Sequence, residues 1–426
     1  MHFLGIDIGT TSVKLCLIGE NRKVVFSNSK VHDADSDYAS IGHPESHEQV
    51  PATILKALDD LCGEIDWRTV KRVCVTGQMH GIVVWGLNCE IETNLVTWMD
   101  KRCDEDFLKM LPKWPHSQMA TGFGSATLVW LRQNGALRNG EYTTGTIMDY
   151  VVAVNTRKWV VPMSILNAYG FGLCDGFEWI LKDSALPRIV HPNTVISKWR
   201  DTEAEVMVAS ADLQTTLLPY CHEGVAVLNL GTSSQLCFSI PTLESYSGNI
   251  PGVTVVPFFE GKWLVLAASL NGGNVIDLVA KTIVNWGSQL SGSQSETRKV
   301  DYDFINSLLS DEGDRTSEGV KANSRFFGER YEPNSGATVT DWNESTSLKQ
   351  FMRGIAAGVI DNLASMLSES LLQMHGIRKL CLTGKASQGI FRRTIERHYP
   401  NLQIEAAIED VSAAYGAAVQ ALTLQG

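Results

Sequence analysis

The sequence has no stretch approaching the ~18 consecutive apolar residues that a membrane span requires. Its opening residues are interrupted by Asp7 and Lys14, so neither a membrane partner nor a secretory leader is expected. No Cys-x-x-Cys pair occurs, and the nine cysteines are odd in number, with several set in apolar runs. That usage reads as reduced thiols in a cytoplasmic protein, not as a disulfide frame. Positive charge is in deficit. The net charge of −11 works against nucleic acid, whose backbone carries the same sign. A local site for a single nucleotide is compatible with it. There is no Walker A loop, no Gly-x-Gly-x-x-Gly and no His-Glu-x-x-His. His43 and His47 lie four apart with Pro44 between them, which does not make a helical metal pair. A long low-complexity linker is also missing, so any two lobes should be in contact.

What is present is a well-packed composition, 44% apolar and 19% charged over 426 residues, enough for two domains of about 200 residues each. An internal repeat organises them. Asp7 to Ile18 reads DIGTTSVKLCLI and Asn229 to Ile240 reads NLGTSSQLCFSI, each after an apolar strand. Val70 to Gly77 (VKRVCVTG) and Ile377 to Gly384 (IRKLCLTG) form a second pair. A helical spacing of apolar residues precedes each: Val50, Ile54, Leu58, Leu61, Ile65 in one case, and Phe351, Ile355, Val359, Leu363, Met366, Leu367 in the other. The order predicts an α/β chain of two similar lobes, residues 1–219 and 220–426. The hinge is expected near Leu217 to Gly224, with the site in the cleft between the lobes. Gly287 to Glu296 is expected to be a solvated loop.

Gly9, Thr10, Thr11 and Ser12 in the first lobe, and Gly231, Thr232, Ser233 and Ser234 in the second, are turns that can aim amides and hydroxyls at phosphate oxygens. Either turn alone is equally well read as ordinary turn chemistry; one in each lobe favours phosphate. Lys14 can add positive charge there, and Asp7, at a strand end, can hold a hydrated Mg²⁺.

With GQMHG at Gly77 to Gly81, WMDKR at Trp98 to Arg102 and DVSAAYGAA near the end, DIGTTSVK resembles the FGGY carbohydrate kinases. Longer strings (LVTWMDKRC, HSQMATGFGSATLVWL, GTIMDYVVA, AASLNGGNV, FFGERY) resemble the sedoheptulokinase branch. The resemblance implies an actin-like, ribonuclease H-like fold in each lobe, with ATP and Mg²⁺ as co-substrate and metal, a small-molecule sugar as partner, and a monomer or homodimer. It implies phosphorylation of a ketose, sedoheptulose first. A pentulose such as xylulose is the nearest rival, a silent sugar-binding regulator a further one, and a chaperone-type ATPase of the same superfold a weaker one. It places the general base on Asp212 of Ala211-Asp212-Leu213-Gln214, where alanine replaces the family's usual glycine, and Gln214 beside it. If position 211 needs a positive φ, that alanine is strained. The resemblance assigns the sugar to Met79 and His80, with Gln78, Trp98, Asp100 and Arg102 as further candidates. A core Trp with an Asp–Arg surface pair is the bland alternative for WMDKR. Asp149, Tyr150, Asn271 and Asn274 are weaker candidates. The nucleotide falls to Gly384 and Lys385, in a turn poorer in glycine than is usual for the family. The small-faced terminal helix (Ala413, Ala414, Gly416, Ala417, Ala418) reads as a close-packing element.

Overall fold

The computed structural model describes residues 1–36, 43–114, 119–137, 140–246, 248–291, 299–310, 319–329, 331–332, 334–407 and 412–423. The chain forms two compact units that part at Pro219/Tyr220.

The first unit is built on a mixed sheet in the order Val195–Lys198, Glu205–Met207, Val70–Gly77, His2–Ile8, Ser12–Gly19, Val24–Val31. His2–Ile8 is almost wholly buried, because both of its faces are covered. Side chains alternate along a strand. Leu4, Ile6 and Ile8 therefore join a core with Ile54, Leu58 and Leu61 of the helix Pro51–Cys62 and with Val151 of the helix Ile147–Thr156. Phe3 on the other face joins Ala414, Tyr415, Ala417 and Ala418 of the terminal helix Ala413–Thr423. Gly5 marks the closest approach: a Cβ there would lie 1.9 Å from the Ala414 carbonyl oxygen. The small-residue face read from the sequence is thus a packing face. Its partner is a correction to the expected lobes of 1–219 and 220–426, because the helix Ala413–Thr423 clusters with the first unit. Pro257–Glu260 also belongs to the first unit. The physical reason is that the helix seats on Gly5, whereas the bulkier Val227 holds the matching position of the second repeat.

The second unit repeats the plan. Its sheet runs Val253–Pro257, Trp263–Ser269, Ser234–Ile240, Val225–Leu230, Lys379–Gly384, Gln403–Ala406. In both units an antiparallel hairpin is followed, across a helical crossover, by a strand parallel to the first. The two sequence repeats occupy these matching positions. The helix Leu348–Met366 supplies Ile355, Val359 and Leu363 to the core, and a capping box between Ser347 and Gln350 starts it. Gly287–Leu290 is a correction: it is the last turn of the helix Gly273–Leu290, carried by the apolar face of Ile276, Val279 and Ile283. Positions 292–296 of that expected loop lie outside the described residues. Among the described residues, no helix is long and apolar enough to cross a membrane.

Candidate functional site

Three parallel strands of the first unit end in one row. Ile8 pairs with Gly77, and Gly77 pairs with Ala211. The segments that leave this row are Gly9–Thr11, Gln78–His80 and the helix Asp212–Leu217. Residues about 200 positions apart in sequence thus meet at the carboxyl ends of three parallel strands, where ligand sites in open α/β folds form. Ala211 has φ −75° and ψ 143°, ordinary extended backbone, so the alanine is unstrained and the expected cost does not arise.

Asp212 heads its helix half-buried, accepting from the Leu213 amide at 2.7 Å. Burial pushes its carboxyl up to about 7, and the nearby Asp7 adds to the rise. Asp7 is itself raised to about 6 by burial, partly offset by Lys14, whose Nζ lies 4.0 Å from Oδ2. Both shifts are upward, so these charges cost folding stability as pH rises through that range, as is common at functional sites. Asp7→Asn, which removes a like charge, should let the Asp212 carboxyl titrate at lower pH. A carboxyl titration followed by NMR on the unliganded protein checks this; an unmoved titration removes Asp7 as a source of the rise.

The turn after the first strand closes with the Gly9 amide donating to Ser12 O at 3.0 Å. Thr11 is exposed at its tip, with Gly9, Thr10 and Ser12 half-buried. His32 braces the turn. Its Nδ1 accepts from the Ala34 amide at 3.2 Å, which leaves Nε2 as the donor to Gly9 O at 3.1 Å. Trp98, 44% exposed and not a core residue, donates its indole N–H to Thr10 Oγ1 at 3.1 Å.

Gln78 is buried, its amide N–H bonded to Ile8 O, and its Oε1 has no hydrogen-bond partner. Met79 and His80 are half-buried. His80 adopts φ 75°, stacks on Phe123 with centroids 4.5 Å apart, and its Nδ1 donates to Gly170 O at 2.6 Å, which fixes the tautomer. Gln214 is buried, and its Oε1 likewise lacks a partner.

Asp100 and Arg102 form neither a surface pair nor an open one. Both are buried. Asp100 accepts from the Arg102 amide, Nε and Nη2 and from the His47 amide, while Arg102 also reaches Glu48 at 2.7 Å. This network fastens the segment around His47 to the WMDKR segment that carries Trp98. Asp149 is the third residue of a capping box with Thr146, and Tyr150 donates to Cys89 O, so structural bonds occupy both.

In the second unit the turn closes with the Gly231 amide donating to Ser233 O at 3.0 Å, and Gly231 and Thr232 are exposed. The Gly273 and Asn274 amides donate to Gly231 O and Thr232 O, so the start of the helix Gly273–Leu290 is bonded to the turn. Asn274 caps locally through Gly272 and Leu270 O. Asn271 is fully buried and shares Glu329 with Ser269 and Asn362. Glu329, the acid of FFGERY, is a buried acceptor hub. Gly384 has φ 62°, and a Cβ there would lie 2.4 Å from Leu230 O; Lys385 is exposed.

The first part of the chain, residues 2–165, matches the family model "FGGY family of carbohydrate kinases, N-terminal domain". The sequence is 32% identical to a human sedoheptulokinase, with 98% of this chain and 96% of that protein aligned, and 31% identical to the mouse sedoheptulokinase over the same shares. The chain belongs to the FGGY family of carbohydrate kinases. It is a sugar kinase. The fold agrees: a xyloylose kinase from Brucella ovis superposes with a TM-score of 0.79 at 19% identity, covering 99% of this chain and 90% of that one.

Within this FGGY kinase, the donor set at the sheet edge fits Mg²⁺. Asp7 offers hard carboxylate oxygens, and no cluster of three or more ligating side chains exists among the described residues. Mg²⁺ needs only one or two carboxylates when phosphates and waters complete its shell. Two residues of the site escaped sequence reading. His32 and Gln49 stand in polar stretches with no periodicity, and only their bonds to the Gly9–Thr10 turn reveal them.

Proposed function

We propose that this kinase transfers the terminal phosphoryl group of ATP to the terminal primary hydroxyl of sedoheptulose, giving sedoheptulose 7-phosphate and ADP. The observation that carries the reading is Asp212 beside Gln78–His80 on one sheet edge, its carboxyl raised to about 7. A base so tuned accepts the hydroxyl proton near neutral pH while the sugar oxygen bonds to the γ-phosphorus and the bond to the β-phosphate oxygen breaks. Gln78, Met79, His80 and Gln214 would hold the hydroxyls, and Trp98 the carbon skeleton; Asp100 and Arg102 serve the sugar by fixing Trp98's segment. Gly9, Thr10, Thr11, Ser12 and Lys14 would receive the phosphates. Gly231, Thr232, Ser233, Gly384 and Lys385 would hold the nucleotide. Mg²⁺ bound at Asp7 would neutralise phosphate charge. The nine free cysteines accord with a reducing compartment, the cytoplasm.

The ordinary backbone at Ala211 removes one motive for a silent regulator. A coupled ADP-release assay over sedoheptulose, xylulose and ribulose tests the proposal. The highest kcat/KM is expected with sedoheptulose. A higher value with xylulose or ribulose makes the chain a pentulose kinase, and calorimetric sugar binding without nucleotide binding makes it a regulator.

A further inference from the structure

Gln49 lies between the two halves of the site just described, and none of its side chain reaches solvent. Its Nε2 donates to Thr10 O at 2.7 Å and to Asp35 Oδ1 at 2.8 Å. Both of these partners are acceptors, so the amide orientation is fixed by chemistry, and Oε1 must be the atom facing Gln78. Gln78 Nε2 donates to that oxygen at 3.0 Å. This fixes Gln78 in turn and leaves its Oε1, buried and unpartnered, as an acceptor awaiting a donor. An orphaned buried acceptor is costly, and an O–H group of a polyol is the donor a sugar site supplies.

The bonds run in one direction. A sugar hydroxyl donates to Gln78, Gln78 to Gln49, and Gln49 to the carbonyl of Thr10. That carbonyl shares its peptide with the Thr11 N–H, in the turn read as phosphate-binding. Each bond in such a chain polarises the next. Two further links join the same elements. Gln49 is paired in register with Leu95, three residues before Trp98, and the Trp98 indole donates to the Thr10 hydroxyl.

We propose that Gln49 is a positioning residue that couples sugar occupancy to the phosphate turn, so that sugar and nucleotide each tighten the binding of the other through it. This rests on the kinase reading above. Loss of the relay would leave the two ligands able to bind but indifferent to one another.

Calorimetry on the intact chain tests this, using a non-hydrolysable ATP analogue with Mg²⁺, without sugar and with enough sedoheptulose to saturate each variant. In the unaltered protein the sugar should tighten analogue binding by about fivefold or more, the low end of ordinary coupling between sites. Gln49→Leu should bring that ratio below about twofold, with either ligand alone still binding within about threefold of the unaltered protein. Gln78→Leu cuts the same chain one bond upstream and should also abolish the ratio, and the double variant should lose no more than either single one. Absence of coupling in the unaltered protein, an undiminished ratio in Gln49→Leu, or additive losses in the double variant would overturn the proposal. Should Gln49→Leu fail to fold, Gln78→Leu decides by the same ratio. Failure of the kinase reading looks different, since the unaltered protein would then fail to bind the nucleotide analogue, with or without sugar, and no ratio could be formed.

Discussion

Asp212→Asn is expected to lower kcat by about 10²–10⁴-fold, the usual contribution of a positioned general base, while sugar affinity stays within a few-fold. The substitution is nearly isosteric. Asparagine keeps an oxygen for the Leu213 amide, now 2.7 Å from Oδ1, so the helix start survives. It also removes a charge that the fold tolerates poorly. Because burial and Asp7 raise the Asp212 carboxyl to about 7, the ionised form weakens the folded state at pH above that value, and the stability its protonated form retains is lost as pH rises through it. The variant should therefore melt at the same temperature as the unaltered protein at pH 8, or higher. Coupled turnover, sugar calorimetry and thermal melts at pH 8 measure all three. Turnover within tenfold of the parent would show that another group takes the proton.

The second large effect is expected at a glycine remote from the sheet edge in sequence. A Cβ on Gly416 would lie 1.7 Å from Thr215 O and 2.4 Å from its carbon. Those are backbone atoms of the helix that Asp212 heads, and Thr215 is fastened to Thr76 by a 2.8 Å hydroxyl bond. Nothing flexible is available to yield. Gly416→Ala should cost on the order of 1–3 kcal/mol or more, the range for overpacking a tight contact. It should also lower turnover of the remaining folded protein, because the clash displaces the helix that carries Asp212, the proposed base. Urea midpoints and kcat per folded molecule separate the two effects. An unchanged midpoint with unchanged kcat would mean the two helices do not bear on each other.

What could be read from the residues, and what could not, follows from the range of each signal. The strands and the internal repeat were legible because alternation, apolar runs and turn residues are local properties. They fell on matching strands of both units, down to the Gly-Thr turns. The row of Ile8, Gly77 and Ala211 was not legible, because register between distant strands leaves no mark in composition. Asp212 was reached through family resemblance, since an acid after an apolar run is unremarkable by itself. WMDKR was read as side chains facing a sugar or a surface. Burial instead turns Asp100 and Arg102 onto one another and leaves Trp98 exposed. Asp149 was a weaker candidate as an acid in the family-like string GTIMDYVVA, and its carboxylate is taken by the Thr146 cap. Gln49 carried no signal at all, as a lone glutamine after a loop reads as solvent-facing until its partners are known.

The terminal helix has a consequence for how the molecule is made. Arg72 reaches the carbonyl of Ala421, 349 residues downstream. At synthesis rates of ~5–20 residues per second, the strand bearing Gly5 emerges tens of seconds before its cover exists. Until then one side of that sheet presents bare apolar surface to the nascent chain's surroundings. The earliest-made half of this enzyme is thus the last to be finished, and its dependence on chaperones should be greatest while the other half is still being translated.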